Sequence, residues 1–109
     1  MNSALICLGS NCKDKSAAIR EAASFLAGLG EILSSSGPYL SDPEYAPADP
    51  VYLNEVLDFR CTFCYDDLHA RIKAYESRLR SAHKGIGVFI DIDIVYWNGE
   101  CLRQADACA

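Results

Sequence analysis

Asp91 and Asp93 stand two residues apart in the run VFIDIDIVYW, Val88 to Trp97. Strand side chains alternate between faces, so Val88, Ile90, Ile92, Ile94 and Tyr96 form one apolar stripe, while Phe89, Asp91, Asp93, Val95 and Trp97 point the other way. The carboxylates then lie about 7 Å apart along one face, twice the rise per residue. That spacing suits one Mg2+, or a pair bridged by substrate phosphates, because this hard cation takes one or two carboxylates and completes its shell from phosphate oxygens. The plainer alternative is a solvated face of an antiparallel sheet, a common setting for alternating polar residues. Phe89, Val95 and Trp97 on the same side as the acids favour a pocket over an open solvated surface.

Other chemistry-bearing residues are less specific. Cys61 and Cys64 form a single C-x-x-C, and neither Cys7/Cys12 nor Cys101/Cys108 supplies the second half of a standard zinc site. Nothing marks the chain for export, so the cysteines are expected as free thiols, with Cys7 and Cys61 as small buried hydrophobes. Gly85-x-Gly87 is too short for a nucleotide fingerprint. His69 falls on the exposed side of a helix, and Arg71, Lys73, Arg78 and Arg80 read as a solvated charged surface.

At 109 residues the chain forms one domain, 1–109, with enough material for a single core. Half of its residues are hydrophobic and 23% are charged, which excludes intrinsic disorder. A net charge of -5 opposes broad attraction to nucleic acid or an anionic membrane, so a phosphate ligand needs local cations or metal. No apolar run reaches the length of a membrane span, and the start MNSALICLGS lacks a basic leader, which makes the cytoplasm the expected location.

The elements that position the acids follow in order. Ala4–Leu8 is a continuous apolar run, the pattern of a central strand, and Gly9-Ser10-Asn11 reads as a turn. Asp14 caps a helix over 15–29 whose apolar face is Ile19, Ala22, Ala23, Leu26 and Leu29. Glu31–Ser36 is a second strand, and Gly37–Val51, with every proline of the chain, is a long loop. Tyr52–Thr62 alternates, with Leu53, Leu57, Phe59 and Cys61 on one face and Tyr52, Asn54, Val56, Asp58 and Arg60 on the other. Glu55 breaks the pattern, which suggests a bulge or an edge position. Asp66 and Asp67 open a second helix, buried through Leu68, Ile72, Tyr75 and Leu79 and ending near Arg80. Asn98-Gly99 is a hairpin turn after the aspartate strand. The order βαββαβ is the ferredoxin-like α+β pattern, an antiparallel sheet with two helices on one face. Tyr52, Asn54 and Val56 then share the open face with Asp91 and Asp93, a setting for a flat heteroaromatic ligand and a metal phosphate.

An ordered set of short motifs runs through nearly the whole chain: Leu8-Gly9-Ser10-Asn11, Ser36 with Tyr39 before a loop carrying Pro43, Tyr52-Leu53-Asn54, Glu76, and Ile90-Asp91-Ile92-Asp93-Ile94. In this the sequence resembles the 6-hydroxymethyl-7,8-dihydropterin pyrophosphokinase family of folate biosynthesis, which transfers diphosphate from ATP to the pterin hydroxymethyl group. The resemblance implies that Asp91 and Asp93 carry catalysis by binding two Mg2+ that bridge the ATP phosphates. It implies pterin contacts for Tyr52 and Asn54 and for the segment that begins Ser41-Asp42, and a nucleotide site containing Glu76. The family's arginine-rich loop is replaced here by a shorter stretch in which Val88 takes the place of an arginine, leaving Arg80, His83 and Lys84 as nucleotide-site cations. The family's later proline-histidine-proline motif has no counterpart before Ala109. Two other readings therefore stand beside the enzyme: a homologue of low or no activity that binds pterin or nucleotide, and a ferredoxin-like domain that self-associates through Trp97 and Phe89 into a homo-oligomer.

Overall fold

The computed structural model describes residues 1–41, 51–83 and 88–102. Its elements are β1 (Asn2–Ser10), α1 (Lys15–Ala27), β2 (Glu31–Ser35), β3 (Tyr39–Ser41), β4 (Tyr52–Cys61), α2 (Tyr65–Ala82), β5 (Asp91–Trp97) and β6 (Glu100–Cys101). The strands form one sheet in the order β2-β4-β1-β5-β6, with β3 also on β4, and every pairing is antiparallel. With β3 and β6 set aside, the order is that of a ferredoxin-like α+β fold, each helix crossing between strands that are not neighbours.

Both helices lie against the face built from Ala4, Ile6 and Leu8 of β1, Leu57, Phe59 and Cys61 of β4, and Ile92 and Ile94 of β5. Helix α1 adds Ile19, Ala22 and Leu26, and α2 adds Leu68, Ile72 and Tyr75. Phe25 of α1 and Tyr75 of α2 stack with ring centroids 4.0 Å apart. The Asp14 side chain accepts from Ala17 N at 3.3 Å, capping α1 as its sequence requires. Asp66 and Asp67 occupy the first turn of α2. Among the described residues, no helix is long and apolar enough to cross a membrane.

Several expectations change. Gly9 and Ser10 belong to β1 rather than to a turn, and Ser10 and Asn11 are buried. The proline-rich segment contributes β3, whose Tyr39–Ser41 pairs with Tyr52–Asn54. Strands β2 and β3 thus line one edge of β4 in succession, and Glu55 lies at the break between them, where its carboxylate accepts from Ser35 Oγ. The register irregularity on this edge falls between Ile32 and Ser34 of β2, not at Glu55.

The last long strand starts at Asp91 instead of Val88, because the chain before it is tied differently. Asn11 N donates to Val88 O at 3.0 Å, Val88 N donates to Asn11 Oδ1, and Ser10 Oγ donates to Val88 O at 3.3 Å. The Asn11 side chain thus takes the place of a ladder bond. A register shift between Leu5 and Ile6 leaves Val95 as the extra residue of β5, since Ile6 pairs with Ile94 and Leu5 with Tyr96. One inserted residue reverses the faces beyond it. Trp97 therefore packs against the core and edge-on to Tyr65, with centroids 5.6 Å apart, rather than beside the aspartates. Phe89 also packs on the core and stacks on His83 at 4.0 Å. The apolar groups expected to drive self-association are thus partly buried against the core of their own chain.

The cysteine and charged-helix expectations are revised in the same way. Cys12, Cys61 and Cys64 are free thiols and Cys7 is half-buried instead of buried, but Cys101 is disulfide-bonded. Burial pushes the Cys61 thiol pKa up, as befits a cysteine inside the core. His69 stacks on Tyr65 at 5.5 Å instead of standing free in solvent. Arg71 lies over the Phe63 ring at 4.5 Å and Arg78 over Tyr75 at 5.5 Å, so the charged side of α2 is partly a packing surface.

Candidate active site

The helix-free face of the sheet carries the residues singled out by type. Gly9 of β1 pairs with Asn54 on one side and Asp91 on the other, and Asn54 in turn pairs with Tyr39. Tyr39, Asn54, Gly9 and Asp91 therefore form one cross-strand row, in which directly opposed side chains share a face. The adjoining row is Val56, Cys7 and Asp93. With strands about 4.8 Å apart, Asn54 and Asp91 are separated by roughly 10 Å of backbone with only a glycine between them. A Cβ built on Gly9 would lie 3.4 Å from Asn54 Oδ1 and 3.8 Å from Tyr52 Cδ1, so the tyrosine and the amide border the space that Gly9 leaves open.

The amide side of this space is prearranged. Asn54 Nδ2 donates to Ser41 Oγ at 2.7 Å and to Tyr39 O at 3.3 Å. These bonds commit the amide hydrogens to β3 and turn Oδ1 toward Gly9. Ser41 pairs with Tyr52 in register, so Ser41, Tyr52 and Asn54 come together as expected. Asp42, the other expected substrate residue, lies outside the described residues.

On the acid side, Ile90, Ile92 and Ile94 are buried against the helices, Asp91 is exposed and Asp93 is half-buried. Among the described residues, no group of three or more His, Cys, Asp or Glu could hold a metal ion. Two carboxylates at alternate positions nevertheless fit Mg2+ that takes its remaining oxygens from substrate phosphates and water.

The expected nucleotide-site residues are placed differently from one another. Glu76 is buried, 4% exposed, on the side of α2 facing β5. Its Oε2 accepts from Ile92 N at 2.6 Å and its Oε1 from Lys73 Nζ at 2.9 Å. It therefore secures the amide of the residue between the two aspartates. Arg80 is exposed one turn further along α2, and His83 ends the helix on the Phe89 ring. Lys84 lies outside the described residues.

Sequence reasoning missed Gly9 as the floor of the site and Lys73 as more than a solvated charge. Residues 73, 76 and 80 follow helical i, i+3, i+7 spacing, a signal present in the sequence. Burial alone would lower the Lys73 pKa, but the hydrogen bond and charge of Glu76, with the charges of Asp93 and Asp91, raise it above its ordinary value.

The family model for 7,8-dihydro-6-hydroxymethylpterin-pyrophosphokinase (HPPK) matches residues 5–105. No curated protein matches the chain.

Proposed function

From a chain that belongs to the HPPK family, whose enzymes use ATP and Mg2+ in folate biosynthesis, we propose a transferase that moves diphosphate from ATP to 6-hydroxymethyl-7,8-dihydropterin. The pterin hydroxymethyl oxygen attacks the β-phosphorus, the bond from that phosphorus to the oxygen bridging the α-phosphate breaks, AMP leaves and the alcohol proton is released. No covalent enzyme intermediate is required, and the task of the protein is to align the reactants and stabilise charge.

The observation that carries this reading is the row Asn54, Gly9, Asp91, with an amide acceptor at one end, a carboxylate at the other and an open floor between. Tyr52 offers a ring face to the pterin, Asn54 Oδ1 accepts from the pterin edge, and Ser41 holds the Asn54 amide in that orientation. Asp91 and Asp93 would hold Mg2+, which would supply neutralisation of the phosphate charge. Arg80 and His83 belong to the nucleotide side of the site, and Glu76 supports it from behind through Ile92.

Purified protein incubated with ATP, Mg2+ and hydroxymethyl dihydropterin is expected to release one AMP per pterin diphosphate formed. Binding of both ligands without AMP release would replace the enzyme with the binding homologue.

A further inference from the structure

Lys73, Glu76 and Arg80 occupy one stripe of α2 that runs along the edge of β5 not paired with β1. The Lys73 ammonium is fixed there by its 2.9 Å bond to Glu76, whose other oxygen holds the Ile92 amide. Two hydrogen bonds and the span of one carboxylate set the Lys73 nitrogen within about 8 Å of that amide, at the level of the aspartate pair. An ammonium has three donors, and Glu76 takes one. The side chain is 47% exposed, so the remaining donors are accessible to a ligand.

A nucleotide diphosphate brought to two aspartates adds negative charge to negative charge, and a fixed cation beside the pair lowers that cost without having to reorganise. We propose that Lys73 is a phosphate-binding residue of this site, held by Glu76 so that its ammonium contacts the β- and γ-phosphates of ATP. The inference rests on the functional reading above and adds a residue to it. Lys73 lies in the field of both aspartates, which stabilises its charged form and keeps it a cation throughout the neutral range.

A cation that merely neutralised Asp91 and Asp93 would compete with Mg2+, so its removal would tighten Mg2+-ATP binding. A cation that contacts the diphosphate has the opposite effect. The test is calorimetric titration of wild type, Lys73→Gln and Lys73→Arg with Mg2+-ATP and with Mg2+-AMP. Glutamine retains an N–H donor for Glu76 and removes only the charge, and a melting curve verifies that each variant is folded. Lys73→Gln is expected to bind Mg2+-ATP about tenfold more weakly, with AMP affinity changed less than twofold and Lys73→Arg within threefold of wild type. Unchanged or tighter Mg2+-ATP binding by Lys73→Gln, an equal loss for AMP, or an equal loss in Lys73→Arg would overturn the proposal. Failure of wild type itself to bind Mg2+-ATP would overturn both the proposal and the functional reading, whereas the other adverse outcomes leave that reading intact.

Discussion

Replacing Glu76 with alanine should cost far more than replacing an exposed helix carboxylate. The Ile92 amide, on a residue only 1% exposed, loses its acceptor at 2.6 Å, and the Lys73 ammonium loses its partner at 2.9 Å. A hydrogen bond to a charged group contributes about 1.5–3 kcal/mol, and a buried amide left without an acceptor costs about 1–3 kcal/mol. These terms overlap, and release of the buried carboxylate offsets part of them, so the expected destabilisation is about 3 kcal/mol. For a domain near this size that is a fall in Tm of roughly 10–20 °C. Glu76→Gln keeps a carbonyl for Ile92 N but turns an amide donor toward Lys73, and should cost about 1 kcal/mol. Urea unfolding of the three proteins with matched m-values measures both differences. A Glu76→Ala protein within about 0.5 kcal/mol of wild type would refute the buried anchor, since that is the range of an inconsequential surface substitution.

Asn54→Ala should weaken pterin binding by about 1 kcal/mol or more while leaving the melting temperature nearly unchanged, and equal pterin affinity by calorimetry would remove Asn54 from the site. Gly9→Val should fold, because a β-branched residue suits a strand and the nearest contacts of a Cβ there are 3.4 and 3.8 Å away, yet lose pterin binding as the floor fills. Retained affinity would show that the ligand does not cross Gly9. Cys61 is buried and its thiol pKa is raised, so at pH 8 iodoacetamide followed by mass spectrometry should label exposed Cys64 well before Cys61. The raised value also means that the contribution of the neutral thiol is fully present below the unfolded pKa near 9.0 and is lost as pH rises above it, because the unfolded chain ionises first while burial opposes the thiolate in the fold. Equal labelling of the two thiols would refute the packing assigned to Cys61.

The sheet and both helices were legible because each long element has a period that only one packing satisfies. The alternation of Leu57, Phe59 and Cys61, and that of Ile90, Ile92 and Ile94, each fixed which side faces the helices. That was enough to bring Tyr52, Asn54, Asp91 and Asp93 to the opposite face. Features set by long-range hydrogen bonds were not legible. The Val95 bulge depends on how β5 pairs with β1, so Trp97 was assigned to the wrong face by a period that the insertion interrupts. Val88 extended the strand pattern by hydropathy, but Asn11, 77 residues earlier, decides its bonding. The three residues of β3 are too short and too exposed to have a period. Lys73 looked like one more solvated charge until the burial of Glu76 gave it a fixed partner.

The account depends most on Asp91 and Asp93 acting as metal ligands on the open face, and a melting curve of wild type and Asp93→Asn with and without Mg2+-ATP tests this directly. The charge of Lys73 already acts on both carboxylates, so the comparison is read from the ligand-induced shift and not from the melting temperature without ligand. Wild type should gain stability with Mg2+-ATP in proportion to ligand concentration, and Asp93→Asn should gain none. An equal ligand-induced shift in the two proteins would contradict the metal-site assignment and the diphosphate transfer built on it.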